Sequence, residues 1–318
     1  MDVKIGTRKS PLALAQADWI KEELFKRGYT CTVVPILSLG ERDTRSPLSD
    51  MVHREASGIF TKSLEEALLD RRIDCAVHSL KDMPVRVDGA FSLVAFSQRE
   101  NPADVFLSRE APLSFSQIQD KAWRIGTSSP RRAAQIRYFF PHAQVVDVRG
   151  NVGSRLQFLE TGKLDALILA LAGLKRLFSP EPLERAVGCK GISVFELPTH
   201  AFVPAPGQGV LTVEMLKERE DNALWKDLEG LSHRASAKAS QIERSLLAAL
   251  GGGCALPLGA LSQLDTDEKS LRLTAFLGGT DRETREKKGV FFQGEESVEN
   301  QAGLVAKAVQ ALTTPRED

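Results

Sequence analysis

Two distant stretches of the chain repeat one another, and that repeat narrows the folds open to it. Lys4-Ile5-Gly6-Thr7-Arg8-Lys9-Ser10-Pro11, followed by Ala13, Ala15 and Gln16, returns as Arg124-Ile125-Gly126-Thr127-Ser128-Ser129-Pro130, followed by Ala133, Ala134 and Gln135. Each copy reads as strand, turn and helix. Serine directly before proline suits a helix start: the serine oxygen accepts an orphan amide of the first turn, and proline at the first helical position has no amide to leave unpaired. In the first copy Leu12, Ala15, Trp19, Ile20 and Leu24 recur at helical spacing. They predict an apolar stripe against a sheet, with Lys21, Glu22 and Lys26 on the other face.

A second pair of segments strengthens the first. Glu66 to His78 and Phe158 to Ala170 share a helix, a short polar turn and an apolar strand that begins after an acid, Asp74 in one and Asp165 in the other. Helices alternating with apolar strands predict parallel sheets with crossover helices. The expected fold class is therefore α/β, with two similar lobes of mainly parallel sheet. The cleft at the carboxyl ends of their strands is the natural ligand site. A passage rich in Pro and Gly, Pro198 to Gly209, precedes a strand over Val210 to Met215 that is expected to return to the first lobe. From Asn222 a third unit follows, with a helix near Arg234 to Leu250, the loop Gly251-Gly252-Gly253-Cys254, and alternation at Leu271, Leu273, Ala275 and Leu277. With 318 residues the chain has room for three domains. Their expected bounds are 1–98 with 199–217, 103–195, and 222–318 for a small C-terminal α+β domain.

Lys plus Arg and Asp plus Glu both number 42, so the formal net charge is zero, which excludes a nucleic-acid or membrane-surface binder held by bulk charge. That average conceals an asymmetry. From Arg124 to Arg155 six arginines face one acid, Asp147, a local charge of +5. Arg131 and Arg132 fall in the first turn of a helix, where cations oppose the macrodipole, so a compensating negative group is expected there. An anion on the helix amides, clamped by the guanidiniums, is one reading; a solvated basic face is the other. Arg149-Gly150-Asn151-Val152-Gly153-Ser154-Arg155 predicts a further strand-to-helix turn that adds two arginines to the same lobe. Arg8 stands at the matching turn of the first lobe.

His78-Ser79-Leu80-Lys81-Asp82-Met83-Pro84 is the other concentrated site. The matching place in the second lobe, Ala170 to Arg176, brings Lys175 and Arg176 but no carboxylate, so one lobe alone supplies an acid. Asp82 amid cations stays ionised, suited to stabilise a developing positive charge or to move a proton. The alternative is a turn aspartate paired with Lys81 at the surface. His78 reads as a hydrogen-bonding residue at a strand end, and no histidine is spaced with it to hold a metal. The four cysteines show no C-x-x-C spacing, so neither disulfides nor zinc is suggested. Cys254 is either a buried inert thiol or an accessible one suited to covalent attachment. Cys31, Cys75 and Cys189 read as packing residues. No signal-type apolar core opens the chain and no apolar run is long enough to span a bilayer, so a cytoplasmic protein is expected.

Taken in order, the Arg8 to Ser10 turn, the His78 to Pro84 segment, Ser129-Pro130-Arg131-Arg132, Arg149 to Arg155, Leu171-Ala172-Gly173-Leu174-Lys175-Arg176 and Gly253-Cys254 resemble the porphobilinogen deaminase (hydroxymethylbilane synthase) family. The resemblance runs from Lys4 into the third domain. It implies lobes like those of type II solute-binding proteins and a dipyrromethane cofactor joined by a thioether to Cys254. It also implies the reaction: porphobilinogen units condense with loss of ammonia, and water releases the linear tetrapyrrole hydroxymethylbilane. Asp82 is then the catalytic carboxylate. Lys81, Ser129, Arg131 and Arg132 hold the cofactor, and Arg8, Ser10, Arg149, Arg155 and Arg176 bind substrate. No metal, nucleic acid or membrane partner is implied, and a monomer is expected.

The chain departs from the family pattern in three places. Ser57, within Glu55-Ala56-Ser57-Gly58, stands where lysine is common, Pro130 replaces an aliphatic residue, and Leu39-Gly40-Glu41-Arg42-Asp43 differs from the usual Arg-Gly-Asp stretch. The competing hypothesis is a non-catalytic two-lobed binding protein for an organic anion. It accounts for the lobes and the arginines but not for the third domain or the glycine loop before Cys254.

Overall fold

The computed structural model describes residues 2–37, 61–110, 114–188, 190–253, 255–279 and 289–314. Cys189, Cys254, the Leu39–Asp43 stretch and Glu55–Gly58 lie outside the described residues. The chain divides into two units, one of Met1–Glu100, Gly209–Gln241 and Gly251–Ala255, the other of Asn101–Gln208, Ile242–Leu250 and Leu256–Asp318.

The first unit opens with β1 (Asp2–Arg8), α1 (Pro11–Phe25), β2 (Thr30–Ile36), α2 (Lys62–Leu69), β3 (Cys75–Ser79) and β4 (Phe91–Phe96). The second unit continues with β5 (Asp104–Ser108), α3 (Phe115–Asp120), β6 (Arg124–Gly126), α4 (Pro130–Phe139) and β7 (Gln144–Val146). It goes on through α5 (Val152–Glu160), β8 (Ala166–Ala170), α6 (Leu171–Phe178), α7 (Leu183–Gly188) and β9 (Ser193–Glu196). The first unit then regains the chain with β10 (Leu211–Leu216) and α8 (Ala223–Glu229). Last come α9 (Arg234–Ala249), β11 (Leu258–Leu264), β12 (Ser270–Gly278), β13 (Gly289–Ser297) and α10 (Gln301–Thr313).

Each unit holds a five-stranded sheet, ordered β2-β1-β3-β10-β4 in the first and β7-β6-β8-β5-β9 in the second. In both, four strands run one way and the fourth in the order, β10 or β5, runs against them. The sequence repeat occupies one register: Ile5 and Gly6 lie beside Cys75 and Ala76, and Ile125 and Gly126 beside Ala166 and Leu167. Both glycines are required by the residue that precedes the acid of the second echo. A Cβ on Gly6 would stand 2.2 Å from Ile73 Cδ1, and one on Gly126 would stand 2.5 Å from Leu164 Cδ1.

Both Ser-Pro steps open helices as expected. Ser10 accepts the amide of Ala13, and Ser129 that of Arg132. The buried stripe of α1 is Ala13, Gln16, Ala17, Ile20 and Leu24, so the apolar face lies slightly to one side of the one predicted. Leu12, Ala15 and Trp19 are half-buried at its margin. The small Ala13 and Ala17 let the helix approach the sheet closely, a gain that hydrophobicity spacing does not register. Ile20 and Leu24 join Val3, Ile5, Val77, Val213 and Met215 in the core of the first unit.

The strand expected over Val210 to Met215 is β10, paired with both β3 and β4. β11, β12 and β13 form a separate antiparallel sheet in the second unit. There Leu271, Leu273 and Ala275 alternate inward as expected and pack with Ile242, Leu246, Leu304 and Ala308.

Candidate active site

Because β1 and β3 are neighbours and parallel, their carboxyl ends bring two of the predicted segments to one edge of the first sheet. Arg8, Ser10, Gln16, Thr61, His78, Ser79 and Asp82 line an open cavity there. Gln16 on α1 donates from Nε2 to Ser79 Oγ at 3.0 Å, joining the helix to the end of β3. Thus Arg8, Ser10 and Asp82 come together. Lys81, half-buried on the same 3₁₀ turn as Asp82, does not line this cavity.

Asp82 is exposed on a turn whose neighbours are fixed. The Leu80 amide donates to Val210 O at 3.0 Å, the Met83 amide to Leu80 O at 3.1 Å, and Leu80 and Met83 are buried against Val210. The anchors on each side let the carboxylate face the cavity without wandering. His78 takes the structural role expected of it: Nε2 meets Glu214 Oε2 at 3.0 Å, and both side chains are buried. Burial pushes the carboxyl of nearby Glu65 up, and the Glu214 charge adds to that rise.

In the second unit the strand ends carry cations. Arg131 and Arg132 are only 4% and 6% exposed, which overturns the solvated-face reading for this pair. Their compensating charge comes from within the chain. Asp104, at the start of β5, accepts from Arg131 Nη2 through Oδ2 and from Arg132 Nη2 through Oδ1, each at 2.7 Å. Gln208 Nε2 donates to the same Oδ1 at 2.9 Å. Burial alone would raise the Asp104 carboxyl, but the two guanidiniums hold it well below the usual carboxylate range. Arg124 has a partner outside the charge-rich stretch as well, with Nη2 2.7 Å from Asp165 Oδ1.

The other predicted arginines of this unit are half-buried. Arg149 Nε lies 4.0 Å from Asp147 Oδ2, and Arg155 Nε donates to Gly150 O at 2.9 Å. Gly150 has φ of 111°, a conformation that glycine reaches without strain, and Asn151 then caps α5 by accepting the Ser154 amide at 2.9 Å. Arg176 lies in the last turn of α6. Asp104, Gln208, Gln16 and Ser79 were not singled out from sequence. For Gln16 a signal existed, since it stands inside the repeat opposite Gln135, and both glutamines are buried.

A sequence model of one family, described as "Porphobilinogen deaminase, dipyromethane cofactor binding domain", matches residues 3–223. Another, "Porphobilinogen deaminase, C-terminal domain", matches residues 237–310. This chain belongs to the porphobilinogen deaminase family. Among its relatives, the porphobilinogen deaminase of Geotalea uraniireducens is 38% identical over 92% of this chain and 87% of that protein. The porphobilinogen deaminase of Geobacter sulfurreducens is 39% identical over 88% and 82%. That of Moorella thermoacetica is 38% identical over 83% and 80%. Among solved structures, an arginine transport periplasmic binding protein of Legionella pneumophila is 16% identical, over 77% of this chain and 98% of that chain, with a TM-score of 0.40.

Porphobilinogen deaminase membership removes the main support for a non-catalytic anion-binding protein, since the family match includes the third sheet that such a reading left unexplained. The residues present also fit the family's dipyrromethane group. Asp104 and its two arginines carry one surplus positive charge in a buried place. The Nε–H groups of Arg131 and Arg132 are buried without a hydrogen-bond partner among the described residues. A carboxylate-bearing pyrrole supplies what such donors lack. No helix among the described residues is long and apolar enough to cross a membrane.

Proposed function

We propose that this chain condenses porphobilinogen units, with loss of ammonia, into the linear tetrapyrrole hydroxymethylbilane, and that Asp82 is its catalytic carboxylate. The observation that carries the reading is the exposed Asp82 lining one cavity with Arg8 and Ser10. Breaking the C–N bond of porphobilinogen releases ammonia and leaves positive charge shared by the pyrrole nitrogen and the methylene carbon. A carboxylate opposite that charge lowers its energy, and arginines around it cannot. When the new C–C bond has formed, the same carboxylate is suited to take the proton leaving the attacked pyrrole carbon.

Arg8, Arg149, Arg155 and Arg176 bind the acetate and propionate groups of substrate and growing chain, and Ser10 donates beside Arg8. Ser129, Lys81, Arg131 and Arg132 hold the cofactor. The dipyrromethane, attached through a thioether to Cys254, supplies when bound the free pyrrole carbon on which the chain is primed. The protein acts in the cytoplasm as a monomer.

Intact mass tests the assignment. Purified protein is expected to weigh more than its polypeptide by two linked pyrroles, and Cys254→Ser to lose that increment. A bare polypeptide mass, or an increment that survives Cys254→Ser, overturns the reading.

A further inference from the structure

Two arginine side chains that must meet the carboxylates of one small ligand need fixed directions, and each has several rotatable bonds to lose. In the second unit those directions are set by a residue that no substrate or cofactor contact requires. Asp104 is fully buried, and each of its oxygens accepts from a different guanidinium at 2.7 Å. The carboxylate is itself prevented from turning, because Gln208 Nε2 donates to Asp104 Oδ1 at 2.9 Å and to Pro102 O at 2.7 Å. Arg131 is pinned a second time by Nη1 donating to Val203 O at 2.7 Å. That acceptor is fixed by Gln135, which donates to Val203 O at 2.9 Å and accepts the Val203 amide at 2.6 Å.

We propose that Asp104, locked by Gln208, is the positioning residue that aims Arg131 and Arg132 at the carboxylates of the pyrrole ligand. The proposal rests on the cofactor reading above. Charge compensation alone does not account for the arrangement. One carboxylate against two guanidiniums leaves a positive surplus, and both Nε–H groups stay buried and unpartnered among the described residues. A buried carboxylate between two guanidiniums needs its lone pairs satisfied in any case, which Gln208 does. What neutralisation leaves unexplained is the pair of buried Nε–H groups, donors held ready for an incoming anion.

The test separates position from charge. Asp104→Glu keeps the charge and moves the carboxylate outward by one methylene; Gln208→Met keeps Asp104 and removes its lock. The full chain, produced in a host without porphobilinogen, is given porphobilinogen, and the initial rate of gain of the two-pyrrole mass is followed beside the melting temperature. Asp104→Glu is expected to melt a few degrees below the parent, because the added methylene overpacks a buried place, and to acquire the mass about a hundredfold more slowly, the penalty of a misplacement near 1 Å passed on to the reacting groups. Gln208→Met, which loses one hydrogen bond to a charged group, is expected to be slower by about tenfold. Loading at the parental rate in the folded variants overturns the proposal. If Asp104→Glu does not fold, Gln208→Met decides alone. A parent chain that never gains the mass defeats the cofactor reading and the proposal with it, whereas a loading parent and equally fast variants defeat the proposal only.

Discussion

Asp165 grips Arg124 through the backbone in both directions. Its carboxylate accepts the Arg124 amide at 2.8 Å, and its own amide donates to the Arg124 carbonyl at 3.1 Å. Asp74 holds Lys4 in the same way in the first unit, at 2.9 and 2.8 Å. Each acid therefore ties the start of β8 or β3 to the start of β6 or β1, which places the carboxyl ends of those strands side by side. Asp165→Ala and Asp74→Ala are expected to lose about 1.5–3 kcal/mol of stability each, the range for a hydrogen bond to a charged group. The exposed side-chain pair of Arg124 with Asp165 adds little to that. Urea unfolding of both variants measures the loss.

Asp82→Asn is expected to leave stability within about 0.5 kcal/mol of the parent, because the side chain is exposed and the buried anchors Leu80 and Met83 remain. Turnover of porphobilinogen should fall by about 10² to 10⁴ with the covalent cofactor still in place, the range for loss of a proton-transfer group. Steady-state rates and intact mass on one preparation check both halves.

Asp104→Asn leaves two buried guanidiniums without their counter-charge and is expected to cost about 3–5 kcal/mol at neutral pH. The native Asp104 carboxyl lies below its unfolded value, so its contribution is complete above the unfolded pKa and is lost as pH falls toward the native one. The stability gap between parent and variant should accordingly be constant above about pH 4 and narrow steadily below it. Denaturant titrations from pH 7 down to acid follow that gap; a gap that widens in acid contradicts the assignment.

Gly6→Ala and Gly126→Ala both overpack and should each cost about 1–3 kcal/mol. They differ in how relief can come. The clash at Gly6 is chiefly with Ile73 Cδ1, the carbon that Ile73→Val deletes, so the double variant should recover much of the loss. At Gly126 three side chains crowd the new methyl, Leu164 at 2.5 Å, Leu167 at 2.7 Å and Val148 at 3.0 Å, so trimming Leu164 alone should recover little. Double-mutant cycles on melting or urea unfolding separate the two cases.

Much of the architecture is legible because it is local. Ser-Pro caps, a helix after each strand, and an acid ahead of an apolar run are written within a few residues, and both copies of the repeat fold to the same register. The compensating charge for Arg131 and Arg132 is not local. Asp104 lies upstream of the charge-rich stretch and reads as the polar start of the apolar run Val105-Phe106-Leu107, so only the placement of β5 beside β8 discloses its role. Glu214 is similar: inside Leu211–Leu216 it looks like the solvent-facing member of an alternating strand, yet it is fully buried because β10 is an interior strand and His78 meets it there. Charge runs report composition, and pairing depends on sheet order.

That sheet order also sets a timetable for synthesis. Every strand of the second unit's five-stranded sheet is contained in Asp104–Glu196, so the ribosome delivers it whole. The first unit's sheet lacks its fourth strand until Leu211–Leu216 emerges, and β4 has no other partner in that sheet. Of the two five-stranded sheets, the one begun first is therefore completed last. Throughout the interval the apolar Phe91–Phe96 segment is an unpaired strand, the stretch of the nascent chain most in need of a chaperone's cover.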